Sequence, residues 1–168
     1  MTLDEINRAD RAAFVAALSG TFEHSPWVAE GACAARPFAD VAALHRAMVA
    51  VVDGAGDERQ LALLRAHPEL AGRAAVRGEL TAESTSEQSG AGLDACTREE
   101  FARLQELNAR YNAKFGFPFI LAVKGYDRAG ILAEFARRVE SDRATEFAEC
   151  LAQVARITRM RLDALVTA

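Results

Sequence analysis

The chain has 168 residues, 51% hydrophobic and 26% charged, with only four prolines, which suits one folded domain with a substantial core and excludes a disordered polymer. A formal net charge of −4, with acidic residues interspersed among the arginines, excludes a sequence-wide basic field for nucleic acid. No apolar run approaches the ~20 residues of a bilayer span, so no membrane partner is expected either.

Met1-Thr2-Leu3-Asp4-Glu5 lacks the basic start and apolar core of a signal peptide, and Val166-Thr167-Ala168 is not a peroxisomal address. Cys33, Cys96 and Cys150 show no C-x-x-C spacing and read as buried thiols in a reducing cytoplasm. The expectation is a soluble cytoplasmic protein.

Thr2-x-x-Glu5 forms a capping box for a first helix, which continues or restarts through Arg8 to Leu18 and closes at Gly20. Phe22-Glu-His-Ser-Pro-Trp27 is too aromatic and too broken by proline for a solvated linker, so an ordered connection is expected, then a short helix from Val28 to Ala35. Asp40 to Val52 has helical spacing in Val41, Leu44, Met48 and Val52. Asp57 is expected to cap a helix from Glu58 to Ala66. His67-Pro68 stops that helix, because a residue before proline is pushed away from the α region. Pro68 then suits the first turn of a further short helix, Glu69 to Arg73.

Residues 74–96 are the most polar stretch, with Leu80 and Leu93 as apolar anchors and a short helix near the middle. Thr97-Arg98-Glu99-Glu100 opens an amphipathic helix with Phe101, Leu104, Leu107 or Asn108, Tyr111 and Phe115 on one stripe, ended by Gly116. Phe117 to Val123 is an unbroken apolar run. It fits a buried strand, but with no second convincing strand to pair with it, a buried extended loop or short helix is expected. Helices over roughly Asp127 to Val139 and Asp142 to Val166 complete an all-α chain. No internal repeat or second domain is visible, so the expected fold is a single compact multi-helix domain over residues 1–168.

Three segments and one arginine concentrate unusual chemistry. His67 continues the Leu63-Leu64 side of its helix and reads as partly buried; it is either a satisfied structural histidine or a proton-transfer group. Ser84, Glu87 and Gln88 share a helix face at i, i+3 and i+4, offering a hydroxyl, a carboxylate and a carboxamide to a ligand. Alternatively, Ser84 simply caps a helix containing Glu87. Phe117 to Val123 is either core packing or a pocket wall whose unpaired backbone groups meet a small polar ligand. On the last helix, Arg161 falls on the apolar stripe of Phe147, Cys150, Leu151, Val154, Ile157, Leu162 and Leu165. It needs a carboxylate partner or a ligand unless its side chain snorkels past the helix end, which is the preferred reading on that helix alone. No metal-ligand spacing, phosphate-cradling glycine loop or nucleophile elbow is present, so no metal or organic cofactor is expected. The residues alone lead to an all-α domain with a His/Glu/Arg pocket.

Several runs are shared with one family. They are Phe22-Glu-His-Ser-Pro-Trp-Val-Ala-Glu30, Arg36-Pro-Phe38, His67-Pro-Glu-Leu-Ala-Gly-Arg73 and Leu80-Thr81. They continue through Ser84-x-x-Glu87-Gln88, Ala91-Gly-Leu-Asp94, Asn108-x-x-Tyr111-x-x-Lys114-Phe-Gly-Phe-Pro-Phe-Ile120, Ala122-Val-Lys-Gly125 and Arg159-x-Arg161-Leu162. In these, over nearly the full chain and in order, the sequence resembles the 2-oxo-4-hydroxy-4-carboxy-5-ureidoimidazoline (OHCU) decarboxylases of urate degradation. The resemblance implies an all-α fold with a buried polar pocket, no cofactor, and formation of (S)-allantoin and carbon dioxide from the ureidoimidazoline. It implies His67 as the catalytic proton-transfer residue and Glu87 as its acidic companion. It assigns substrate contacts to Pro68, to Ser84, Thr85, Ser86, Glu87 and Gln88, to Phe119, Ile120, Leu121, Ala122 and Val123, and to Arg161. It also implies a homodimer. The competing expectation is a non-catalytic helical module on the same fold that binds a small ligand or a partner protein.

Overall fold

Capping chemistry sets most of the helix starts. In the computed structural model, which describes residues 1–167 with the Ala74 side chain excepted, α1 (Leu3–Arg8) opens on a reciprocal box. The Glu5 amide donates to Thr2 Oγ1 at 3.2 Å, and the Thr2 amide donates to the Glu5 carboxylate at 2.8 Å. Asp10 accepts from the Ala13 amide and starts α2 (Arg11–Ala17), so the expected first helix restarts rather than continues. Pro26 at the first turn opens α3 (Pro26–Ala32), which tightens into a 3₁₀ turn at Cys33–Ala35. Asp40 caps α4 (Val41–Asp53), and Asp57 is the first residue of α5 (Asp57–Ala66) rather than its cap.

Beyond α5 come α6 (Arg73–Arg77), α7 (Ala82–Gly90), a 3₁₀ turn at Leu93–Ala95 and α8 (Arg98–Phe115). A second reciprocal box, Thr97 with Glu100, starts α8, and Gly116 at φ 78° ends it with its amide on the Asn112 carbonyl. The last helices are α9 (Arg128–Arg138) and α10 (Arg143–Leu165). The only β feature among the described residues is an isolated parallel bridge between Thr2 and Thr167, so the fold is all-α as expected. No helix among them is long and apolar enough to cross a membrane.

The chain divides into two units. The first comprises Met1–Ala66 with the chain from Val154 onward, that is α1 to α5 and the second half of α10. Ile6, Phe14, Leu18, Val28, Leu44 and Met48 are buried in its core. Helices α3 and α4 lie so close that a Cβ on Gly31 would sit 2.8 Å from Val51 Cγ1. Asn7 clasps the Phe38 backbone through its amide, and His45 Nε2 lies 2.8 Å from the Ala155 carbonyl.

The second unit, His67–Gln153, holds α6 to α9, the first half of α10 and the irregular run between α8 and α9. Its core is aromatic. The Tyr111 ring meets Phe115, Phe117, Phe119 and Phe135 edge-on at centroid distances of 4.5 to 6.0 Å, and Phe119 stacks on Phe135 at 3.9 Å. Such pairs add about 0.5–1.5 kcal/mol each beyond their area burial. On the α8 stripe, Leu104, Leu107, Asn108, Tyr111 and Phe115 are buried as expected, whereas Phe101 is 37% exposed.

Candidate active site

Helix α5 ends at Ala66, and half-buried His67 and Pro68 follow without regular structure, as the proline rule requires. The expected helix from Glu69 to Arg73 does not form. Leu70 and Ala71 make a turn instead, Ala71 adopts φ 48°, and helix resumes only at Arg73. The cause is tertiary. The Ala71 amide donates to Gln88 Oε1 at 2.9 Å, and the Glu69 carbonyl accepts from Gln88 Nε2 at 3.2 Å, so groups a local helix would use are taken elsewhere. Gly72 closes the turn, because a Cβ there would lie 2.6 Å from Glu69 Cβ.

Helix α7 starts at Thr81, whose hydroxyl accepts from the Ser84 amide at 3.2 Å. Thr81 is therefore the cap and Ser84 an interior residue, which removes the capping alternative for Ser84. Ser84 and Gln88 are buried and Glu87 is half-buried on one face, while Thr85 and Ser86 are exposed. Through its two ends, Gln88 ties this face to the turn that follows His67. A groove of about 570 Å³ in the same unit has largely apolar walls, among them Ala71, Leu80, Gln88, Leu93 and Phe101.

Phe117 to Val123 is a mostly buried segment without regular structure. Phe119, Ile120, Leu121 and Val123 are buried and Ala122 is half-buried. Side chains bond part of its backbone: the Ile120 carbonyl accepts from Arg138 Nη1 at 2.6 Å, and the Ala122 amide donates to Gln153 Oε1 at 3.0 Å. Arg138 is fully buried, 4.5 Å above the Phe119 ring, and pairs with buried Glu146 at 2.8 Å. Tyr111 donates to the same Glu146 oxygen at 2.6 Å and lies 3.2 Å from Cys150 Sγ. Burial, then Cys150 and Glu146, push the Tyr111 hydroxyl far above its ordinary value. Burial alone would lower the Arg138 guanidinium, but Glu146 and Cys150 carry its net shift upward, so the cation is kept.

The sequence reading missed this network. Its signal was present: Arg138 lies three residues after Phe135 and seven after Ile131, on the buried stripe of α9.

Arg161 belongs to the first unit and is 8% exposed. Its Nη1 donates to the Gly20 carbonyl at 3.2 Å and the Thr21 carbonyl at 3.4 Å, and its Nη2 lies 3.8 Å from Glu23 Oε2. The snorkelling reading is therefore corrected: carbonyls and a carboxylate inside the unit meet the guanidinium, which offsets the cost of burying it. Among the described residues, no His, Cys, Asp and Glu side chains are grouped as metal ligands.

The OHCU decarboxylase family model matches residues 7–163. The chain belongs to the OHCU decarboxylase family. Within that family it is similar to the 2-oxo-4-hydroxy-4-carboxy-5-ureidoimidazoline decarboxylase of Haloferax volcanii, at 44% identity over 96% of this chain and 94% of the relative. A human protein, a putative decarboxylase of the same name, is 40% identical over 100% of this chain and 97% of its own. Among solved structures, an (S)-allantoin synthase superposes with a TM-score of 0.78 at 30% identity, covering 99% of this chain and 54% of that one.

Proposed function

We propose that this OHCU decarboxylase family member is a carboxy-lyase that converts 2-oxo-4-hydroxy-4-carboxy-5-ureidoimidazoline to (S)-allantoin and carbon dioxide. The observation that carries this reading is that the polar face of α7 is tied through Gln88 to the turn directly after His67. Family membership supplies the substrate class.

The chemistry needs no electron carrier. The bond between C4 and its carboxylate breaks, carbon dioxide leaves, and the electron pair enters the ring as an enol- or enolate-like species. The C4 hydroxyl then gives up its proton as the carbonyl forms, and the neighbouring ring carbon gains one. Groups aimed at the developing charge in a dry site lower that barrier. In this reading His67 exchanges the proton, and delivery to one face of the ring sets a single allantoin enantiomer. Glu87 is its acidic companion. Pro68, Ser84 and Gln88, together with Phe119 to Val123, contact the substrate in a buried polar pocket, and exposed Thr85 and Ser86 are kept as contacts on the strength of the family resemblance. Arg161 is retained as a contact to a carbonyl or carboxylate oxygen on the strength of the family resemblance. The working form is a cytoplasmic homodimer, which sedimentation of the purified chain tests.

The reaction is tested by circular dichroism, with urate converted in situ by urate oxidase and hydroxyisourate hydrolase. Fast growth of the (S)-allantoin signal only when this protein is added supports the assignment. Racemic product at the uncatalysed rate, with folded protein present, refutes it and favours a binding module.

A further inference from the structure

The turn after His67 is held almost entirely by carboxamides. Besides the two bonds from Gln88, the Leu70 carbonyl accepts from Asn108 Nδ2 at 3.0 Å and the Ala71 carbonyl accepts from Gln105 Nε2 at 2.8 Å. Asn112 Nδ2 donates to the Glu69 carboxylate at 2.5 Å. Gln105, Asn108 and Asn112 lie at i, i+3 and i+7 along α8, so one helix stripe presents all three amides to one short turn. Every bonded backbone group belongs to Glu69, Leu70 or Ala71.

Two features separate this clamp from ordinary packing. Ala71 is a non-glycine residue at φ 48°, a left-handed conformation that persists only where the surroundings over-determine it. Its amide and its carbonyl are each gripped by a different helix, Gln88 from α7 and Gln105 from α8. In addition, Asn108 is buried with its Oδ1 unpartnered among the described residues, so it contributes less to stability than a fully satisfied amide would. Its one side-chain bond holds the turn.

We propose that Gln105 and Asn108, acting with Gln88, are positioning residues for His67. The link is short and stiff: Pro68 has a locked φ and restricts the residue before it, so the orientation of Glu69 to Ala71 passes to His67 through a nearly rigid joint. Leu70, within the turn, is itself buried. The clamp matters for turnover because proton transfer depends steeply on the placement of the donor, while substrate contacts made elsewhere do not. This inference rests on the reading of His67 as the proton-transfer residue.

The experiment uses Gln105→Met, at a half-exposed helix position where methionine keeps the length and removes the donor. The expected result is a kcat lowered on the order of 10–100-fold, with KM within about threefold of the parent and an unchanged far-UV spectrum. Adding Ala71→Gly, which removes the Cβ penalty at φ 48°, is expected to restore most of that loss. Asn108→Leu provides a second, independent removal of a donor with the same expected split. His67 placement is read without turnover from its imidazole ¹⁵N resonances, which are expected to shift or broaden in Gln105→Met while those of His24 and His45 stay put.

An active parent whose kcat is unchanged in both folded variants overturns the clamp and leaves the decarboxylase reading intact. A loss that Ala71→Gly leaves unrepaired also overturns it. A parent without turnover sinks the decarboxylase reading instead, and the His67 resonances then decide the clamp: unchanged resonances overturn it.

Discussion

Replacing Glu146 by glutamine tests whether a charge pair anchors the Phe117–Val123 segment. Arg138 is 0% exposed, and its Nε and Nη2 lie 2.9 and 2.8 Å from one Glu146 oxygen, which also accepts from Tyr111 at 2.6 Å. Glutamine keeps the volume and one acceptor, so the packing change is small. What is lost is the countercharge to a buried guanidinium, and breaking such a pair from one side costs about 3–5 kcal/mol. For a chain of this size each kcal/mol lowers the thermal midpoint by about 2–4 °C, so the expected drop is roughly 10 °C. Urea denaturation at pH 7 gives the free energy directly, with an m-value near that of the parent. Removing both charges, as Arg138→Met with Glu146→Leu, leaves no unpaired ion but strands the Ile120 carbonyl and the Tyr111 hydroxyl, so its cost is expected to fall short of the sum of the two single losses. The electrostatic account is refuted by a Glu146→Gln loss under about 1 kcal/mol, or by single losses that simply add in the double variant.

Three further outcomes are expected. His67→Asn lowers kcat by about 10²–10⁴-fold with near-normal substrate binding; unchanged turnover removes the proton-transfer role. The Arg128 hydrogen bond at 2.7 Å, followed by the Thr97 amide, holds the Glu100 carboxyl below its ordinary value. Its contribution is therefore present above the unfolded value near pH ~4.3 and is lost as pH falls through the lowered folded value. Glu100→Gln should accordingly flatten the acid limb of the urea midpoint against pH, and a limb of parental shape would contradict that assignment. Burial pushes the Cys150 thiol up, and the residue is 0% exposed. In native buffer it should label only as fast as its unit opens, whereas all three thiols react in denaturant; rapid native labelling on its peptide by mass spectrometry would count against a sealed network.

What was legible in the sequence is what local chemistry decides. Thr2 with Glu5, Thr97 with Glu100, and Gly116 mark helix ends within three residues of themselves, and the structure uses all of them. The Ser84, Glu87 and Gln88 face was legible for the same reason, since helical period alone puts those three together and turns Thr85 and Ser86 outward. The turn after His67 was not. Pro68 followed by helix formers predicts a helix, and the bonds that defeat it come from residues 17, 34 and 38 positions away. Arg138 was half legible: its place on an apolar stripe announces a buried cation, as Arg161 does, but its partner lies on the next helix, where no spacing rule reaches.

The two irregular segments of the second unit solve one problem in two ways. A buried backbone outside helix or sheet must find partners for its N–H and C=O groups beyond a regular ladder, and side chains supply several of them here. Around Phe119 to Val123 a cation does part of this, and it needs Glu146 and a Tyr111 hydroxyl to be tolerable at all. Around Glu69 to Ala71 the holding groups are neutral amides, and Gln88 alone supplies both a donor and an acceptor. Neutral clamps suit the position. A lysine or arginine bonded to the Leu70 or Ala71 carbonyl would place a fixed positive charge a few residues from His67 and disfavour the imidazolium. Carboxamides fix the same backbone without that field, so α7 and α8 hold the turn after His67 with no added charge.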